Sequence, residues 1–251
     1  MVETVASGPG ESVFGFLSEG SRKSVYGHEV SISTTGDSHV YERTDSSGNV
    51  VNRTLLAPGV RVMVAPYPPF LLPLHGRLNC LYMRLRSPVV VPPGDHFRVE
   101  VGIPFDIAVI ASSKGRHTLI DYFPPGGVTP KMAVYGSNVE GMLCRFWREE
   151  WEGPAANTRL TVVNNADVQA TVSRVVIPRR GLSMFYNPVN GDIAASPIRM
   201  SVRDIDSADV WAEEPEPGEG FIEVPLVERD RRLFEALGPL VPSRISMIWG
   251  I

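Results

Sequence analysis

The sequence predicts an all-β protein of two β-sandwich-like, immunoglobulin-like halves with one C-terminal helix. Two observations carry that expectation. The 251 residues are punctuated along their whole length by 23 glycines and 22 prolines. Between them lie short segments rich in Val, Ile, Tyr and Phe, which suit a pleated surface. The clearest of these segments also alternate apolar and polar side chains with a period of two, as half-buried strands do. Residues 1–126 and 127–251 are the expected halves. The proline- and glycine-rich run Tyr122–Pro130 would divide them, and one continuous, larger sandwich is the alternative.

Taken in order, Val13–Leu17 and Val25–Ser33 read as opening strands. Val40–Arg43 and Val50–Leu55 flank Ser46-Ser47-Gly48-Asn49, a polar turn that marks a hairpin. Val60–Ala65 is a strand expected to end at Pro66, because proline cannot donate to a ladder. Cys80–Arg86 sets Cys80, Tyr82, Arg84 and Arg86 against Leu81, Met83 and Leu85. Val89–Val91, the turn Pro92-Pro93-Gly94-Asp95 and the returning Phe97–Val101 follow. Ile107–Ala111 is wholly apolar, as a buried central strand would be.

Past the linker, Arg159–Val163 and Val168–Ile177 around Asn164-Asn165-Ala166-Asp167 read as a long hairpin. Ser183–Tyr186 and Ile198–Val202, with a turn over Pro188–Gly191, suggest a further pair. Glu213–Gly220 is an acidic, proline-rich loop expected at the surface. The one expected helix covers about 225–237, with Pro225 in its first turn and Gly238-Pro239 at its stop. Ser243–Trp249 closes the chain as a strand with Ile245, Met247 and Trp249 on one side.

The net charge is −4 and no basic tail or stripe is present. That argues against nucleic acid as a partner, since phosphate contacts need clustered cations. No apolar run reaches ~18 residues, so no membrane span is expected, and the N-terminus shows no signal-peptide pattern. Cys80 and Cys144 have no metal-site spacing. Two buried thiols in a reducing, cytoplasmic compartment are expected, with a disulfide as the alternative. Arginine supplies nearly all the positive charge and Gln169 is the sole glutamine, a composition compatible with a thermophilic source.

No phosphate-cradling, dinucleotide, nucleophile-elbow or HExxH motif is present. The five histidines are isolated in sequence, and no metal and no cofactor are expected. Asp121, Glu149, Glu150 and Glu152 lie near aromatics, as a sugar-cleaving groove would need, yet surface acids are the plainer reading. Asp204, Asp206 and Asp209 lack the glycine and terminal glutamate of a calcium loop.

The candidate ligand-binding residues are Arg145, Trp147, Glu149 and Trp151. They fall on one side of the strand Met142–Trp151, with two flat apolar platforms beside a guanidinium fork. The alternative is that the tryptophans cap an internal core and the charges pair at its rim. The expected function is therefore a non-enzymatic binding or assembly module, ahead of a small-molecule or carbohydrate-binding enzyme using Arg145 and Glu149 or Glu150. A protein partner or self-association is expected ahead of a small molecule.

The runs LYMRLRSPVVVPPGDHFRVEVGIPFDIAVI, KMAVYGSNVEGMLCRFWREE and LTVVNNADVQATVSRVVIP together resemble an archaeal family described only as domain of unknown function number 432. The resemblance covers the chain from about Gly15 to the closing strand. It implies an archaeal, cytoplasmic protein and supplies no activity and no catalytic residues.

Overall fold

The computed structural model describes residues 13–36, 38–56, 59–70, 78–127, 132–134, 143–148, 151–215, 218–227 and 244–248. The strands begin with β1 (Gly15–Phe16), β2 (Arg22–Val25), β3 (His28–Thr35), β4 (Ser38–Thr44), β5 (Val50–Leu55) and β6 (Arg61–Tyr67). Next come β7 (Leu78–Val91), β8 (His96–Pro104), β9 (Asp106–Ser113) and β10 (Arg116–Phe123), then a 3-10 turn at Pro125–Gly127. β11 (Met132–Val134), β12 (Leu143–Arg148), β13 (Ala155–Asn164), β14 (Ala170–Pro178) and β15 (Met184–Tyr186) follow. β16 (Ile193–Ala195), β17 (Ile198–Val202), β18 (Ser207–Ala212), β19 (Ile222–Glu223) and β20 (Arg244–Ile248) complete the series.

The chain is mostly β, in open antiparallel and mixed sheets. Three sheets are four-stranded: β2-β3-β4-β5, β1-β6-β9-β10 and β11-β12-β7-β14. The eight-stranded sheet runs β19-β15-β16-β13-β17-β18-β20, with β8 also paired to β13. β8 bonds to β13, and β7 bonds to both β12 and β14. Strands from both sides of the expected 126/127 division therefore share two of the sheets.

Local chemistry explains the turns. Asp45 accepts hydrogen bonds from the N–H groups of Ser47 and Asn49, and Gly48 takes a φ of 83°, which closes the expected β4–β5 hairpin. The expected strand Val25–Ser33 is instead broken at Tyr26-Gly27. Both residues have positive φ, and Val25 pairs with His28, the geometry of a two-residue type I′ hairpin. Tyrosine is a poor advertisement for such a turn, which is why the sequence hides it. Pro66 does not end its strand either, for β6 continues to Tyr67. β1 covers β6 only at Met63 and Val64, so the proline lies where that side of the strand has no partner to disappoint.

The expected hairpin around Asn164–Asp167 is corrected. β13 and β14 follow one another but enter different sheets, and so do β7 and β8 across Pro92–Asp95. The buried Asn164 side chain clasps both crossovers by donating to the carbonyls of Val91 and Val168. The Asn164 backbone adds bonds to Gly94 and Asp95. Two turns that look like hairpin turns are thus arches from one layer to the next, held by one amide. The pair expected between Ser183–Tyr186 and Ile198–Val202 is also rearranged: β15 pairs with β16, and β17 lies between β13 and β18.

β9 is the central apolar strand that was expected, flanked by β6 and β10, with Ile107–Ile110 wholly buried. The expected alternation along β7 holds from Leu81 on, with Leu81, Met83 and Leu85 buried and Arg84 and Arg86 exposed, whereas Cys80 is buried on the arginine side. Of the expected helix, Pro225–Val227 are non-helical, and its remainder and Trp249 lie outside the described residues. No helix of the described residues is long and apolar enough to cross a membrane.

Candidate functional site

β12 lies beside β7 in parallel and carries most of the residues singled out from sequence. Its register steps between Leu143 and Cys144, so that Leu143 pairs with Leu78 but Cys144 with Cys80. Without the step the two cysteines would point to opposite faces, because side chains alternate along a strand. With it they form a disulfide, Cα to Cα 4.6 Å, which corrects the expectation of two buried thiols. A one-residue shift in pairing leaves no mark in composition, and cysteines 64 positions apart announce nothing.

The face holding Arg145 and Trp147 turns inward. Arg145 is wholly buried and its Nη1 donates to Oδ2 of Asp106 at 2.7 Å. Asp106, also buried, accepts a second hydrogen bond from the Tyr122 hydroxyl, which reaches the carbonyl of Pro68 as well. Burial pushes the Asp106 carboxyl above its ordinary range, against the pull of Arg145 and Tyr122. Among the described residues, Nε and Nη2 of the buried Arg145 have no hydrogen-bond partner, an uncommon and costly arrangement. Trp147 is buried and donates its Nε1 to the carbonyl of Gly102 at 3.1 Å. A Cβ at Gly102 would press on Ala155 at 2.9 Å, so glycine lets β8 and β13 approach closely there.

Trp151 is half-buried, lies over Gly153 and donates to the Pro154 carbonyl. It folds back on the turn that enters β13. Glu149 and Glu150 lie outside the described residues. Arg145, Trp147 and Trp151 thus occupy core and turn positions, close to the capped-core alternative. Asp106 and Tyr122 are the partners sequence reading passed over, although a lone acid opening the apolar run Ile107–Ala111 was a visible signal. Asp121, the other acid weighed there, accepts from Tyr41 and Arg43. Arg43 also lies 4.5 Å over the Phe123 ring, so this cluster ties β4 to β10. His28 joins it by donating Nε2–H to the Pro124 carbonyl. Burial lowers the His28 pKa and raises that of Tyr41.

The opposite face of β12 grades from closed to open. The disulfide is buried, the half-buried Phe146 and Tyr82 rings meet in a tilted pair at 5.3 Å, and Arg148 and Arg84 are exposed. A shallow recess of about 180 Å³ is lined by Arg84, Leu85, Arg86 and Arg148. A second of about 290 Å³ lies between Tyr67, Phe70, Arg179 and Met184. The roomiest of the three, about 780 Å³, runs between β5 and β10 and is lined by Leu55, Leu56, Val60, Lys114, Arg116 and Ile120 among others. Among the described residues no three His, Cys, Asp or Glu side chains converge to hold a metal ion.

Residues 14–238 match the model of a family described as Protein of unknown function (DUF432). The chain belongs to this family. No curated protein and no solved structure matches this DUF432 chain. The match spans both sides of the 126/127 division and includes β12, the arginine face and both edges of the β5–β10 recess.

Proposed function

We propose that this DUF432 protein is a non-enzymatic binding or assembly module that receives an extended, acidic segment of a protein partner between β5 and β10. The observation that carries this reading is the open recess between two sheet edges. Among the described residues β5 pairs only with β4, and β10 only with β9, so each presents there an edge of the kind an added strand satisfies. Leu56, at 83% exposure, offers an apolar anchor in the lining of the recess. Lys114 and Arg116 line it as well, around a two-residue turn in which Lys114 and Gly115 both have positive φ. Among the described residues neither cation has an ion pair, which favours an acidic occupant. The enzyme reading around Arg145 has less support, because that guanidinium is sealed in the core.

The test is fluorescence polarisation with a labelled peptide of alternating valine and glutamate. Saturable binding is expected, lost in the Lys114→Glu/Arg116→Glu double variant and weakened in Leu56→Asp, with circular dichroism unchanged. Absence of binding to the unaltered protein, or binding indifferent to both changes, overturns the reading.

A further inference from the structure

On the open side of β12, three arginines stand in register across three adjacent strands. Arg148 of β12 pairs with Arg84 of β7, and Arg84 pairs in turn with Arg174 of β14. Arg86 follows two residues along β7 on the same side of the strand. Like charges directly opposite one another destabilise a sheet, and neighbouring strands lie only about 4.8 Å apart. The chain has 28 acidic residues to 24 basic ones, so carboxylates to break such a row are not scarce. Among the described residues, neither Arg84 nor Arg148 has an ion pair. Arg174 is half-buried and has a partner of its own; it closes the row.

The row does not stand on a loose surface. Arg84 and Arg148 lie four residues beyond Cys80 and Cys144 on the same strands, and the disulfide fixes the spacing of those strands. Between disulfide and arginines, the Tyr82 and Phe146 rings lie side by side, tilted 38° to one another. Guanidinium groups bind oxyanions through two N–H groups at once. Here Arg84 and Arg148, neither with an ion pair among the described residues, flank a recess that Arg86, which has a partner of its own, also lines.

We propose that the recess between Arg84, Arg86 and Arg148 is a binding site for a compact, multiply charged phosphate anion of the pyrophosphate type. Free pyrophosphate and the diphosphate tail of a nucleotide share that chemistry, and in the second case the base would rest toward Tyr82 and Phe146. A single layer of cations is too short to track a nucleic-acid backbone, which needs many phosphate contacts in succession.

The experiment is isothermal titration of the full chain with inorganic pyrophosphate and with adenosine diphosphate at fixed ionic strength. Saturable binding of pyrophosphate is expected, and the Arg84→Gln/Arg148→Gln variant should lose about tenfold or more in affinity. Tighter binding of the nucleotide, reduced by Phe146→Leu, assigns the nucleotide source; equal binding assigns the free anion. Without ligand the double variant should melt at the same temperature as the unaltered protein or higher, because repulsion within the row is relieved. The inference is overturned if pyrophosphate does not bind saturably, if sodium sulfate at matched ionic strength binds as well, or if the double variant binds undiminished. None of these outcomes bears on the β5–β10 recess, whose own variants lie on other strands.

Discussion

Breaking the Arg145–Asp106 pair from either end should cost unequal amounts, and the inequality follows from the chemistry of the two groups. Both side chains are essentially without solvent contact, and their bond is 2.7 Å. Removing one partner of such a pair costs about 3–5 kcal/mol, because an uncompensated charge stays buried. Asp106→Asn leaves the Arg145 guanidinium, which cannot give up its proton, so this variant should lose the full amount. Arg145→Met leaves a carboxyl that can become neutral and still accept from Tyr122, so its loss should be smaller, about 1–3 kcal/mol. Arg145→Met/Asp106→Leu should recover most of the loss, since an apolar pair of similar volume needs no compensation.

The Arg145→Met variant should also carry a pH signature. A carboxyl whose folded pKa is raised contributes stability below its unfolded pKa of about 3.9, and that contribution is lost as pH rises through the folded value. Its deficit against the unaltered protein should therefore widen from pH 4 toward neutrality. Urea unfolding of the four proteins at several pH values measures all of this. Equal losses in the two single variants, or a double variant worse than both, would refute the reasoning.

Other outcomes follow from the same geometry. Reducing the Cys80–Cys144 disulfide releases a constraint across 64 residues, worth about 4 kcal/mol by loop entropy; urea midpoints with and without reductant should separate accordingly, and coincident curves would show that the bond contributes nothing. His28, with its folded pKa lowered by burial and by Arg43, contributes stability that is present above about pH 6.5 and lost as pH falls through the folded value. His28→Gln should flatten the stability profile below pH 6.5 relative to the unaltered protein, whereas parallel profiles would exclude this linkage. Gly153→Ala should force the Trp151 ring from its seat, since an added Cβ would overlap the indole. Its tryptophan emission should shift to the red, with a loss of about 1–3 kcal/mol.

Several parts of the fold were legible in sequence because one strand's own side chains settle them. The apolar run Ile107–Ala111 is a central strand, the alternation along β7 separates buried from exposed residues from Leu81 onward, and the polar run Ser46–Asn49 marks the β4–β5 turn. The type I′ turn at Tyr26-Gly27 and the strand position of Pro66 were not legible, because each depends on what lies beside the residue. The site was legible only as a location. The strand around Arg145 drew the focus in sequence, but Asp106 as partner to Arg145 is 39 positions away and reaches it only through the tertiary fold.

The β class, most of the strand segments and the periodic assignment of faces could be read along the chain, since these follow from side-chain shape and period-two alternation within one segment. Which segments pair came from the folded sheets. Their packing carried Asn164 across two arches instead of a hairpin, stepped the register that unites Cys80 with Cys144, and turned Arg145 and Trp147 inward while Arg84 and Arg148 faced out. The physical reason is that a strand's hydrogen-bonding groups are identical at every residue. Partner and register are fixed by which side chains pack once all the sheets are present.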